Sequence, residues 1–401
     1  MTMRFLHFAS LSFTGTSHAL EVLQSQGNLD RVPSTETCIQ WEMKVGLHKL
    51  TRSKETADDW VWIMDHVVNK GVYKCFLVLG VRMSTLEKRK DLTLRIEDLE
   101  PLGVVPMKVS NGELVAAELE KIVAKAEGRP PLAIVKDQGS DLRCGGRSLC
   151  EKYPQIIDIR DVPHKIACLY KKILEYDSDW NRFISECSNF KKRMQLTQNA
   201  HLSPPNQRSK ARYHNIDVLV DWAIKWLPYC NQYEEFKWLK GYERKLQEWS
   251  QLVASGRIVR EIVRREGISR DCYELVAKRL VDIAILPKAE EFACDILDFL
   301  EEEGKKIPEG RRMIGSSEII ESVFGVHKNI SGRGPKPMGR LILSMASRVG
   351  EAVSESLIVD AFEGIQETTI DKWLAAAFSK GTKECIEISV EEKRNQNTVV
   401  A

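Results

Sequence analysis

The hydrophobic pattern of this chain changes character twice along its length. Residues 1 to about 50 carry apolar positions at helical spacing. MRFLHFA and SHALEVLQSQ read as short helices, and PSTETCIQWEMKVGLHKL as a third, opened by Pro33 with Ser34 or Thr35 as cap. From 57 to about 160 the period shortens. DDWVWIMD and YKCFLVLGV predict two strands separated by the Asn69-Lys70-Gly71 turn, with DLTLRIEDL a weaker third. GELVAAELEKIVAKAEG predicts an amphipathic helix with Leu114, Leu119, Ile122 and Val123 on one face. PLAIVKD and QIIDIRD then predict two more strands. From Pro163 to about Gly310 no strand pattern remains, and the segment reads as helical, with a loop at LSPPNQRSK.

Three strands, then helix, strand, helix and strand, imply a mixed sheet with helices packed on it, an α+β or mixed α/β architecture. The three N-terminal helices suit a helix-turn-helix whose last helix reads DNA; the same pattern also fits a generic helical N-terminal domain. At 401 residues the chain is long enough for two or three domains.

Composition excludes some classes. Hydrophobic residues at 43% and charged residues at 29% describe a core-forming protein, and no stretch approaches the roughly 18 uncharged apolar residues of a membrane span. The N-terminus lacks a small-residue cleavage pattern and does not read as a signal peptide. The ten cysteines form no CxxC pair and no zinc-ligand cluster, which implies reduced thiols and a cytoplasmic location. Net charge is only +2, but its placement is uneven. Between Gly325 and Gly350 stand Lys328, Arg333, Lys336, Arg340 and Arg348 with no acid, and from Pro163 to Tyr213 ten basic residues face four acidic ones. Each stretch reads either as a solvated helix face or as a phosphate-contacting surface.

Candidate chemistry lies at strand ends. Asp65 closes the first core strand and Asp137 the strand after the first core helix; side by side, their carboxylates would converge. A third acid comes from the helix GSSEIIESVFGVHK, where Glu321 and Lys328, seven residues apart, share a face two turns apart. Glu318 is a rival for Glu321 and Asp141 a rival for Asp137. Three carboxylates make an oxygen-only site suited to a pair of Mg²⁺ or Mn²⁺ ions acting on a phosphodiester, with Lys328 meeting an adjoining phosphate.

This constellation, carried by WVWIMDHVVNKGVYKCFLVLGV, LAIVKDQGSDL, IIDIRDVPHKIACLYKK and SSEIIESVFGVHK, resembles the DDE transposases of bacterial insertion sequences over about residues 30 to 330. The resemblance implies a ribonuclease-H-like (retroviral-integrase-like) catalytic core, with Asp65, Asp137 and Glu321 as metal ligands. It implies a helix-turn-helix at 1–52 that starts almost at Met1 and so is cut short, with Gln40 and Lys44 on its DNA-reading helix. The core then runs over 57–165 and 311–350, interrupted by a helical insertion at 166–310, with C-terminal helices and a frayed tail at 351–401. Arg333, Lys336, Arg340, His164 and Lys165 become DNA contacts beside Lys328. Trp226 or Trp238 of the insertion becomes a platform for a flipped base, against the plainer reading that both are core. The partners implied are double-stranded DNA, as transposon ends and target, and a second copy of the chain in a homodimer or higher oligomer, with no membrane. The Tyr and Arg that some members carry before the glutamate are absent; Ser317 and Ile314 stand there. Two competing readings are a catalytically dead or truncated DNA-binding protein and a structure-specific nuclease of the same fold.

Overall fold

A computed structural model of the chain describes residues 1–7, 9, 11–68, 73–207, 212–330, 339–351 and 353–378. The chain divides into two compact units: one joins Met1–Ile159 to the chain from Ser317 onward, and the other is Arg160–Ser316. The first unit opens with three helices, α1 (Thr2–His7), α2 (Phe13–Ser25) and α3 (Thr35–Thr51). Strands β1 (Trp60–Val68) and β2 (Lys74–Arg82) follow, then a short helix α4 (Met83–Glu87) and strand β3 (Leu99–Met107). Helix α5 (Gly112–Lys125), β4 (Ala133–Lys136), α6 (Ser140–Lys152) and β5 (Ile157–Arg160) complete a five-stranded sheet of order β3-β2-β1-β4-β5. The sheet is mixed: β1 is antiparallel to β2 and parallel to β4.

Burial explains the sequence pattern of these strands. Val61 to Met64 of β1 and Cys75 to Val81 of β2 are inaccessible, as inner strands covered on both faces require. Trp62, Met64, Phe76 and Val78 pack on one face against Val115, Leu119 and Ile122 of α5 and Leu142 and Leu149 of α6. Because side chains alternate along a strand, Val61, Ile63 and Asp65 lie on the opposite face. The third strand falls later than DLTLRIEDL suggests. Asp98 accepts the Arg95 backbone N–H at 2.9 Å and pairs with Arg89, so its acid ends in a 3₁₀ turn (Ile96–Asp98) rather than a strand. The strand itself carries Pro101 and Pro106, which it tolerates because it is an edge strand pairing with β2 alone.

The second unit is helical: α7 (Val162–Leu174), α8 (Ser178–Met194), α9 (Ile216–Trp226), α10 (Glu243–Glu266), α11 (Cys272–Leu280) and α12 (Pro287–Lys305). Its centre is a run of rings in edge and tilted contact: Trp180, Phe183, Phe190, Trp222, Phe236, Trp238, Tyr242 and Trp249. Such pairs add about 0.5–1.5 kcal/mol each beyond their buried area. Arg160 ties the start of this unit to Glu302 and to the fully buried Glu303.

The chain then returns to the first unit with α13 (Glu318–Ile330), α14 (Ser344–Ser347), α15 (Glu355–Gly364) and a helical stretch over 367–378. Helix α13 lies against β1, and α14 and α15 pack on α3. Ser34 starts α3 by accepting the Thr37 N–H at 3.1 Å. Gly46, mid-helix, lets the α3 backbone touch that of Leu343, where any Cβ would collide with the carbonyl. Two charged residues of α3 are fully buried. Lys49 Nζ donates to the carbonyls of Ser347 (3.0 Å), Val349 (2.7 Å) and Glu351 (3.2 Å), closing the end of α14. Glu42 accepts from Arg348 Nε (2.5 Å), Ser347 Oγ (2.5 Å) and His7 Nε2 (3.0 Å). Among the described residues no helix is long and apolar enough to cross a membrane.

Candidate active site

The parallel pairing of β1 with β4 runs from Val61↔Ala133 to Met64↔Lys136. The next position on each strand is Asp65 and Asp137, so two carboxyl-bearing residues leave the last paired rung side by side. Strand β1 continues past Asp65 to Val68 because its antiparallel ladder with β2 persists, with Asp65 opposite Leu77. β4 stops at Lys136 for a local reason: Asp137 Oδ1 accepts the Gly139 N–H at 2.9 Å, an Asx-type turn that leads directly into α6. Asp65 Oδ1 accepts the His66 N–H at 2.6 Å, and both aspartates are half-buried.

Glu321 and Glu318 are exposed on the first turn of α13, while Ile320, Val323, Phe324 and His327 form its buried side. Neither α13 nor its apolar residues belong to the α5–α6 cluster. Helix α13 lies against β1, the strand that carries Asp65. Arg333 and Lys336, and the side chains of Lys328 and Arg340, lie outside the described residues. Among the described residues, no three His, Cys, Asp or Glu side chains are gathered closely enough to hold an ion as they stand.

Other residues singled out in the sequence are placed elsewhere. Gln40 is half-buried on α3, and Lys44 Nζ lies 3.5 Å from the Phe362 carbonyl and 5.8 Å above the Phe362 ring. His164, Lys165, Trp226 and Trp238 belong to the helical unit. The His164 ring meets that of His214 at 5.5 Å and hydrogen-bonds the exposed Cys168 thiol, which holds that thiol below its ordinary pKa. Lys165 Nζ sits over the Phe299 ring at 5.3 Å. One face of Trp226 is stacked on Phe236 at 4.5 Å, and Trp238 is enclosed by Phe183, Phe190, Trp222 and Tyr242.

At this end of the sheet two residues that escaped the sequence reading, Ser110 and His66, meet Asp141, which it weighed as a rival of Asp137. Ser110 Oγ donates to Asp141 Oδ2 at 2.6 Å and lies 3.0 Å from His66 Nε2, which is itself 3.1 Å from Asp141 Oδ2. Burial depresses the His66 pKa more than the neighbouring Asp141 and Asp137 raise it, so the ring is neutral near pH 7. Burial alone would raise Asp141; the Ser110 hydrogen bond leads the effects that bring it below its ordinary value instead. With the serine proton on Asp141, the assigned tautomer has His66 Nε2–H donating, and its buried Nδ1 has no partner. No protein-family model matches the chain, and no curated protein matches it.

Proposed function

We propose that this protein is a metal-dependent polynucleotidyl transferase, a DDE transposase that cleaves and joins DNA at the ends of an insertion sequence. The observation that carries the reading is the β1–β4 register, which sets Asp65 beside Asp137, with the helix bearing Glu321 against β1. The five-stranded mixed sheet flanked by helices is of the kind a ribonuclease-H-like core requires. The donor set fits hard cations: all three side chains are carboxylates, two of them half-buried at neighbouring positions of β1 and β4 and the third exposed on α13. Asp65, Asp137 and Glu321 would hold a pair of Mg²⁺ or Mn²⁺ ions, which when bound activate the attacking hydroxyl and stabilise the leaving oxygen.

The chain's own residues orient the substrate. From the sequence alone, Lys328, seven residues after Glu321, and Arg333, Lys336 and Arg340 are assigned to contacts with the DNA backbone. Recognition of the element's ends is assigned to residues 1–52, supported by the three helices and the polar positions Thr35, Glu36 and Gln40 of α3. The working form acts inside the cell on double-stranded DNA as a dimer or larger assembly. Each of Asp65→Ala, Asp137→Ala and Glu321→Ala should abolish Mg²⁺- or Mn²⁺-dependent nicking of end DNA while leaving DNA binding in gel-shift assays within about threefold. Nicking retained in Asp65→Ala or Asp137→Ala refutes the assignment.

A further inference from the structure

The contacts among Ser110, His66 and Asp141 resemble a hydrolase relay only in composition. In a relay the acid orients the imidazole from the nitrogen opposite the serine. Here Asp141 and Ser110 share Nε2, the serine proton goes to the carboxylate, and Nδ1 is buried without a partner. The serine is not activated; it is held.

What it holds is informative. Ser110 directly precedes Asn111, whose Oδ1 caps α5 by accepting the Leu114 N–H at 2.9 Å, so the hydroxyl projects from a fixed helix start. His66 follows Asp65 on β1, and its ring packs on Phe76 at 5.3 Å. Asp141 stands in the first turn of α6, two residues beyond the Asx turn. Residues Asp137 to Gly139 are thus strung between two anchors: β4, fixed to β1 by the register, and α6, fixed by Asp141 to β1 and to the start of α5. We infer that Ser110, His66 and Asp141 are positioning residues that set where the Asp137 carboxylate sits relative to Asp65. The inference rests on the metal-binding reading above. Outer partners of this sort govern metal affinity strongly, by about 10–100-fold when removed.

Calorimetric titration of the full chain with Mn²⁺ alone, without DNA, tests it. Wild type should bind, Asp137→Asn should abolish binding, and Ser110→Ala should weaken it by about 10–100-fold. Ser110→Thr, which keeps the hydroxyl, should stay within about threefold. A circular-dichroism melt establishes that each variant is folded. If Ser110→Ala is not, His66→Phe preserves the packing on Phe76 and removes the ring nitrogens, with the same weakening expected. Mn²⁺ affinity equal to wild type in Ser110→Ala and His66→Phe, with Asp137→Asn inactive, overturns the positioning role and leaves the metal reading standing. Loss of binding in Asp141→Asn as complete as in Asp137→Asn makes Asp141 a ligand and overturns the positioning role. No Mn²⁺ binding by wild type at millimolar concentration overturns both.

Discussion

Replacing Glu42 with Gln removes one negative charge from the buried junction of α1, α3 and α14 while preserving shape. Desolvation alone would raise the Glu42 pKa; the charges of His7 and Arg348, with hydrogen bonds from His7 and Ser347, more than reverse it, from the ordinary 4.5 to about 2. A depression of about 2.5 units corresponds to roughly 3 kcal/mol of stability at neutral pH, at about 1.4 kcal/mol per unit. The figure agrees in size with the ~3–5 kcal/mol lost when one partner of a buried ion pair is removed. The substitution would leave Arg348, 7% exposed, without its carboxylate. The sign of the pH dependence follows from the depressed value. The contribution is complete above the unfolded value of 4.5 and is lost as pH falls through about 2. Urea unfolding of the variant and wild type should therefore differ by about 3 kcal/mol at pH 7 and by roughly half that at pH 3. A gap below about 1 kcal/mol at pH 7, or one that does not shrink between pH 7 and pH 3, refutes the account of the junction.

Three further outcomes are expected. Gly46→Ala should destabilise the protein, because the new methyl meets the Leu343 backbone and overpacking of ~1–3 kcal/mol outweighs a helix-propensity gain of up to about 1 kcal/mol. Gly325→Ala on α13, with open space around its Cβ position, should keep that gain, and melting temperatures of the two variants read the contrast. Neutralising Arg333, Lys336 and Arg340 together should weaken binding to any DNA sequence and flatten the dependence of log affinity on log salt by about one unit per lost phosphate contact. An unchanged slope in a fluorescence-anisotropy titration assigns them to a solvated loop.

The first two strands were legible in the sequence because inner strands are apolar on both faces, and WVWIMD and YKCFLVLGV show that directly. The third was misplaced because LEPLGVVPM carries two prolines and a glycine, residues that argue against a strand unless it lies at an edge, and position in the sheet is not a local property. The pairing that sets Asp65 beside Asp137 could be expected from the order of elements, since strand ends signal themselves through the turn residues that follow. Ser110 and His66 could not, and Asp141 stood there only as a rival of Asp137. Ser110 lies 44 residues from His66 and 31 from Asp141, and no local spacing in the sequence links the three. Glu42 and Lys49 were equally hidden. Both sit on a helix whose polar positions suggested solvent or DNA, whereas their partners at 347–351 are some 300 residues away.

The division of the first unit into two stretches of chain has a consequence for how the protein is made. The helical unit is one continuous stretch, Arg160–Ser316, and every residue it needs has been added to the chain before α13 is synthesised. The sheet unit begins first and finishes last. Until residues 344–351 emerge, Glu42 has neither Arg348 nor Ser347, and Lys49 has no carbonyls to bind. At roughly 5–20 residues per second, the amino-terminal helices wait many seconds for these partners while Arg160–Ser316 is synthesised. A chain that stops between Ser316 and residue 344 holds the whole helical unit but lacks Ser347 and Arg348, and its buried Glu42 keeps only His7.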